Sequence, residues 1–358
     1  VDEHIASPDP EPGSASGGPG DRKSGGTARH QHKFGNRRSY GAIDLGTNNC
    51  RLLVARPAAD GFTVIDAFSR IVRLGEGLSK SGRLSDAAID RAVAALAVCG
   101  KKLRRRHVSL SRSVATEACR RAANGRHFVR RVQEETGIAL DIISPEEEAR
   151  LAVLGCHILL EPGDGPALIF DIGGGSTELV LIDPGTEGDR VGEPKILSWY
   201  SAPWGVVSLA EKEFNDLTTL EDRLETYQRM RRRVAASFAD FASTLPTIGY
   251  QPRLLGTSGT VTTLASVHLG LPSYDRSKID GLVLPSDALR AVSTDLAHKS
   301  VPERAEVPCI GAERADLVVS GCAILEAILD IWPAERIGIA DRGIREGILR
   351  SMMAQDRR

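Results

Sequence analysis

Apolar residues run up to an aspartate, break at glycine and then resume at two places in the chain. In residues 168–180, Leu168, Ile169 and Phe170 lead to Asp171, Gly173, Gly174 and Gly175 form the break, Ser176 and Thr177 follow, and Leu179 and Val180 restart the apolar pattern. Short apolar runs around a glycine-rich break predict strand, tight turn, strand. Residues 42–54 repeat the order, with Asp44 matching Asp171, Gly46 matching Gly173 and Leu52 matching Leu179. Glycine lets the chain turn where a Cβ would not fit, so successive amides can converge on an anion such as phosphate. An aspartate at the strand end can hold a divalent metal or its water shell. One such hairpin is weak evidence, but two predict related half-domains facing each other across a cleft and sharing one phosphate-bearing ligand.

The remaining pattern fills in around these hairpins. Ser85 is read as the cap of a helix with Ile89, Val93, Leu96, Cys99 and Leu103 on one face, ending in the cations of 101–106. A strand at 140–143 meets Ser144-Pro145-Glu146-Glu147-Glu148. Ser144 reads as an N-cap, Pro145 as the first helical residue, and Glu147 as the return half of a capping box. Glu146 and Glu148 are then free to face a cleft, with Asp141 just ahead of them on the strand. Clustered carboxylates can share a metal or raise one another's pKa toward that of a general base. A third glycine loop, Arg253 to Thr260, predicts strand into helix, and puts Gly259 and Thr260 at a helix start suited to anions. The last helix, after a strand at 336–339, is expected to return to the first half-domain; Arg342 and Arg345 fit either a surface or a cleft. The expected divisions are a tail at 1–38, a first domain at 39–163 and a second at 164–358.

Composition narrows the class. The 358 residues are 41% hydrophobic and 26% charged with a formal net charge of −1, enough for two domains and uninformative about partners. No apolar run approaches the roughly 18 residues of a membrane span. The six cysteines stand singly, without zinc or disulfide spacing, which fits a reducing cytoplasm. The tail is rich in Gly, Ser, Pro and charge, which predicts disorder, and it has no apolar segment of the kind a secretory leader carries. From Lys101 to Arg131 there are eleven Lys or Arg and one acid, Glu117. This stretch reads either as a solvated face or as a track for a polyanion. On spacing alone, Glu117 reads as an ion-pair partner of Arg120 or Arg121 rather than as a catalytic carboxylate. Two tryptophans, Trp199 and Trp204, are read as packing residues in preference to a base-stacking platform.

In order along the chain, DLGTNNCRLL, ATEACRRAANG, IISPEEEARL, FDIGGGSTELV, GTSGTVTTLA and IADRGIREGIL resemble the exopolyphosphatase and guanosine pentaphosphate phosphohydrolase family, over about residues 40 to 353. The resemblance implies an α/β fold of two ribonuclease-H-like domains around a central cleft, as in the actin, sugar kinase and Hsp70 superfold. It also implies Mg²⁺- (or Mn²⁺-) dependent release of terminal phosphate from inorganic polyphosphate or pppGpp. Carried over by motif, Glu117 and Glu148 would be catalytic and Asp44, Asp141 and Asp171 would serve the metal. Gly46, Thr47, Asn48, Asn49 and Arg51, with Gly173, Gly174, Gly175, Ser176 and Thr177, would bind phosphate, joined by Gly259 and Thr260. The family thus moves Glu117 from a structural to a catalytic reading. Thr47 and Asn49 stand where serines are common in the family. The chain also ends soon after its last helix, where longer members add a helical domain, so it is expected to be a short form. Polyphosphate is preferred over pppGpp because the basic stretch is longer than one nucleotide needs. No nucleic acid or membrane partner is expected, and a homodimer is left open. A kinase of the same superfold would need an adenosine pocket, which nothing here marks. A non-catalytic polyphosphate or alarmone sensor would not need Glu117 and Glu148.

Overall fold

The computed structural model describes residues 38–59, 61–187, 190–191, 194–213, 219–245 and 252–356. The N-terminal tail therefore lies outside the described residues except for Arg38, which pairs with Asp356 at 2.5 Å.

In the first half, β1 (Tyr40–Leu45) and β2 (Asn49–Ala58) form a hairpin and β3 (Gly61–Ile71) runs back along β2. Helices α1 (Leu78–Ser81) and α2 (Asp86–Arg105) lead to β4 (Leu110–Ala115), then α3 (Glu117–Arg121), α4 (Gly125–Thr136), β5 (Leu140–Ile142) and α5 (Pro145–Cys156). The second half opens with β6 (Ala167–Ile172) and β7 (Thr177–Asp183), followed by the small ribbon β8 (Thr186–Glu187) and β9 (Arg190–Val191), then β10 (Lys195–Ala202), α6 (Val206–Glu213) and α7 (Leu220–Thr244). It continues through β11 (Arg253–Thr257), α8 (Gly259–His268), α9 (Arg276–Ile279), β12 (Val283–Pro285), α10 (Ser286–His298), α11 (Val301–Ala305), α12 (Val318–Ile331), β13 (Arg336–Ala340) and α13 (Ile344–Gln355).

The two sheets match strand for strand. The first has the order β3-β2-β1-β4-β5 and the second β10-β7-β6-β11-β13, with β12 added at its edge. In each, a central strand pairs antiparallel with its hairpin partner and parallel with the strand after the next helices. The repeat read from two turns therefore extends over five strands.

Each sheet buries a helix-covered face. Ile89, Leu96 and Cys99 of α2 pack on Ile43, Leu45 and Leu52 of the first sheet. Met230 and Phe238 of α7, with α12, cover Leu168 and Phe170 of the second. Ser85 caps α2 as expected, accepting from Ala88 N at 3.2 Å.

Helices α5 and α13 join the two halves. Ile348, Leu349 and Met352 of α13 pack on Tyr40, Ala42 and Leu53 of the first sheet, while Ala149 and Val153 of α5 pack on Ile169 and Val180 of the second. Their backbones touch where they cross. A Cβ on Gly155 would lie 2.0 Å from Gly343 O, and one on Gly347 would lie 2.0 Å from Leu151 O, so neither site admits a methyl group. Ser144 caps α5 by accepting from Glu147 N at 3.2 Å. The expected capping box is only half made, because the Glu147 carboxylate turns to Arg112 and Arg150 at 2.9 and 2.7 Å, where charge-assisted bonds are stronger.

Candidate active site

The tips of both hairpins open on one cleft. Each tip is closed by its own backbone bond, Gly46 N to Asn49 O at 2.9 Å and Gly173 N to Ser176 O at 3.0 Å. The carbonyls of Thr47 and Asn48 are tied back by the amides of Gly75, Val72 and Arg73, and those of Gly173 and Gly174 by Val206 and Val207. Among the described residues, the amides of Thr47, Asn48, Gly174, Gly175 and Ser176 find no acceptor in the chain. With carbonyls drawn back and amides free, the tips form concave donor surfaces suited to an anion.

The tips also touch. A Cβ on Gly174 would lie 3.1 Å from Asn48 N, and one on Gly175 would lie 2.6 Å from Thr47 Oγ1 and 2.9 Å from Glu117 Cγ. Gly174 and Gly175 are thus required by the close approach of the first turn and of Glu117. The third loop joins them: Ser258 takes a left-handed backbone (φ 77) and donates its hydroxyl to Ile172 O at 2.6 Å. Left-handed non-glycine residues cost energy and concentrate at functional loops.

The carboxylates come from separate elements. Glu117 begins α3 and Glu148 lies in the first turn of α5, and Arg120 joins them, with Nη2 at 2.6 Å from Glu117 and Nη1 at 3.1 Å from Glu148. Arg120 Nη1 also donates to Ile143 O at 2.8 Å, which fixes the guanidinium. Burial, and then the neighbouring charges of Glu178, Asp171 and Asp44, push the Glu148 carboxyl well above its ordinary range despite Arg120. Burial and the nearby Asp44 push Asp171 up to about 6, against the neighbouring charge of Arg51. Burial likewise raises Asp44, against Arg51 and Arg345. A cleft that holds raised carboxylates beside free amides is a place for acid–base chemistry on an anion.

The cleft is lined by Asp44, Asp171, Glu117 and Glu148, by Gly46, Thr47, Asn48, Asn49 and Arg51, by Gly173, Gly174, Gly175 and Ser176, and by Gly259 and Thr260. Two sequence-predicted residues lie elsewhere. Asp141 sits on β5 with its side chain 59% exposed, paired with Arg112 at 3.1 Å, and does not reach the cleft. Its strand lies at the sheet edge, and alternation sends this side chain outward while Leu140 points inward. Thr177 is fully buried and donates to Trp204 O at 2.6 Å, because strand alternation turns it into the core between Ser176 and Glu178, which face the cleft. Glu146 is exposed and outside the cleft. Trp199 and Trp204 do not line it.

The basic stretch also resolves differently from a polyanion track. Lys102, Arg105 and Arg106 converge on Asp66, and Arg112 binds Glu147 and Asp141. Arg120 and Arg121 bind Glu117, while Arg131 binds Asp90 and Glu135. The cations of the cleft are instead Arg51, Arg314, Arg342 and Arg345. Glu178 and Arg314 line the cleft without having been marked by the sequence pattern. Glu178 lines the cleft, accepts from Ser176 and Ser201 at 2.7 and 2.8 Å, and is driven up by burial and Asp171. Aligning the two hairpins would have marked it, because it occupies the position of Arg51.

The donor set fits a hard cation of the Mg²⁺ type. Asp44 Oδ1, Thr47 Oγ1 and Asn48 Oδ1 are buried without a hydrogen-bond partner among the described residues. Among the described residues no three His, Cys, Asp or Glu side chains are grouped to hold a metal by themselves. Mg²⁺ characteristically takes one or two carboxylates and completes its shell with water and substrate phosphates, so the two findings agree. Among the described residues no helix is long and apolar enough to cross a membrane.

Two sheets of matching order, closing on a cleft of glycine turns and carboxylates, define an enzyme of the two-domain actin-like fold. The model of the Ppx/GppA phosphatase family matches residues 53–356, and the chain belongs to that family. A putative exopolyphosphatase of Haemophilus influenzae is 30% identical over 319 residues, covering 89% of this chain and 92% of its own. The crystal structure of the Aquifex aeolicus family member is 27% identical with a TM-score of 0.70, covering 90% of this chain and all of its own. An exopolyphosphatase from Cytophaga hutchinsonii, 24% identical, shares the fold with a TM-score of 0.76 over 89% of this chain and 98% of its own.

Proposed function

We propose that the protein hydrolyses the terminal anhydride of inorganic polyphosphate and releases orthophosphate. The observation that carries this reading is the meeting of two amide-lined turns beside a pair of carboxylates held by one arginine. The terminal phosphoryl group lies between the turns, where the free amides of Thr47, Asn48 and Gly174 to Ser176 donate to its oxygens. Glu148, with its raised carboxyl, accepts a proton from water aligned with the bond to be broken, and Glu117 orients that water. Arg120 fixes the separation of the two carboxylates. The bond from phosphorus to the bridging oxygen breaks, and the shortened chain leaves as an anion toward Arg51, Arg314, Arg342 and Arg345. Asp44 and Asp171, with the side-chain oxygens of Thr47 and Asn48, would hold Mg²⁺ or Mn²⁺. The ion, when bound, supplies charge neutralisation to the phosphate oxygens.

Polyphosphate is favoured over pppGpp because none of the described residues lining the cleft is aromatic, so a guanine base has no ring to stack on. The name of the Haemophilus influenzae relative points the same way. This support replaces the basic stretch, whose charges are largely paired. The test is orthophosphate release by purified protein with Mg²⁺ from long polyphosphate, tripolyphosphate and pppGpp in parallel. The reading predicts that polyphosphate is the better substrate by kcat/KM and that a chelator stops release. Preference for pppGpp would overturn the substrate assignment, and release from none of the three would overturn the hydrolase reading.

A further inference from the structure

We propose that α6 is a strut that sets how closely the two turns face each other, with Ser208 and Glu211 as its positioning residues. The inference rests on the reading of the cleft as a phosphate site, and neither residue lines that cleft.

Ser208 holds the near end. Its hydroxyl accepts from Gly205 N at 2.8 Å and donates to Gly175 O at 3.0 Å, while the amides of Val206 and Val207 take the carbonyls of Gly173 and Gly174 at 3.0 and 2.8 Å. All three carbonyls of the glycine turn are thereby drawn toward the start of α6. Gly205 is seated against the turn, where a Cβ would lie 2.4 Å from the carbonyl carbon of Gly174. The positive end of the α6 dipole also points at the turn, which favours an anion on its far side.

Glu211 holds the far end. One helical turn beyond Ser208 and on the same side of α6, its carboxylate crosses to the first half and accepts from Gly77 N at 2.5 Å and Ser79 N at 3.3 Å. Those amides end the segment that begins with the cradle of the first turn, in which Val72, Arg73 and Gly75 hold Asn48 and Thr47. The fit inside that cradle is tight, since a Cβ on Gly75 would lie 2.3 Å from Thr47 Cγ2. A second tie runs beside the first: Arg73, in a left-handed conformation (φ 47), pairs with Asp316 at 2.9 Å. Both turns are therefore braced by segments that are themselves fastened to each other, and α6 makes one of the two fastenings.

A strut of this kind acts on the fraction of molecules whose turns are correctly apposed. Loss of that fraction raises the apparent dissociation constant in proportion, whereas saturating substrate draws the turns together itself. Glu211→Ala is expected to raise KM for polyphosphate about tenfold with kcat changed by less than about twofold. Amide exchange should quicken in both 46–49 and 173–176, not only in 77–79. Glu211→Gln, which keeps one acceptor oxygen for Gly77 N, should recover most of the KM. Ser208→Ala should raise KM in the same way, and the double variant should be less impaired than the product of the two single effects, as for two ends of one element.

A wild-type KM in Glu211→Ala, or faster exchange confined to 77–79, would reduce Glu211 to a local cap and overturn the strut. If wild-type protein releases no phosphate from any substrate, the site reading fails, and the exchange measurement still decides the strut by itself.

Discussion

In the first hairpin Asp44 stands opposite Arg51, and at the same register in the second Asp171 stands opposite Glu178. The tips differ in the same sense. Thr47 and Asn48 bring side-chain oxygens without partners, while Gly173, Gly174 and Gly175 bring only backbone. A Cβ at Gly46 would meet nothing closer than Asn49 O at 3.6 Å, whereas its counterpart Gly173 would put one 2.9 Å from Ser176 O. The two hairpins share one backbone plan, and where the tips meet, at Gly174 and Gly175, the second has no room for side chains. The first wall carries a cation and unpartnered side-chain oxygens; the second carries closely packed amides backed by a carboxylate cluster that is protonated more readily than usual.

Three sets of substitutions would break or sharpen this contrast. The largest effect is expected at the carboxylates beside the turns: Glu148→Gln should lower kcat by about 10²- to 10⁴-fold with little change in KM, as for loss of a general base. Steady-state phosphate release checks it, and a kcat within tenfold of wild type would remove Glu148 from proton transfer.

Next comes the asymmetry of the glycines. Gly175→Ala forces a methyl group against Thr47 Oγ1 and Glu117 Cγ, and should cost about 10²-fold in kcat/KM through misplacement of the turn. Gly46→Ala should stay within about threefold and shift stability by less than about 1 kcal/mol. Equal losses at the two positions would mean that the turns are interchangeable, contrary to the packing described.

The smallest effect separates the facing residues of the hairpins. Arg51→Ala should raise KM about tenfold, corresponding to roughly 1.4 kcal/mol of anion binding. Glu178→Gln removes a charge that disfavours ionisation of Glu148, and should leave KM within about threefold while shifting the acid limb of the pH–rate profile downward. If both substitutions act on KM alone, the two walls share one task.

Much of this architecture was legible in the chain. The twin turns could be read because period-two alternation and glycine are local signals, and the caps at Ser85 and Ser144 could be read for the same reason. Glu117 was seen both as a partner of Arg120 and, through family resemblance, as catalytic; the structure makes the ion pair and places the carboxylate in the cleft. Part of what failed depended on distant partners. Nothing near residues 102–106, at the end of α2, announces that Asp66, on β3, will gather their charges. Asp141 and Thr177 were each assigned by motif, but alternation along a strand turned one to solvent and the other into the core. Arg314 gave no signal at all, since it comes from a loop between helices and reaches the cleft only through the packing of the second half.

The central claim is that both turns grip one phosphoryl group. The direct measurement is amide hydrogen exchange in the Glu148→Gln variant, titrated with tripolyphosphate in the presence of Mg²⁺. The account predicts that the amides of Thr47 and Asn48 slow together with those of Gly174, Gly175 and Ser176, along a single saturation curve. Protection of one turn with the other unchanged, or two separate curves, would contradict it.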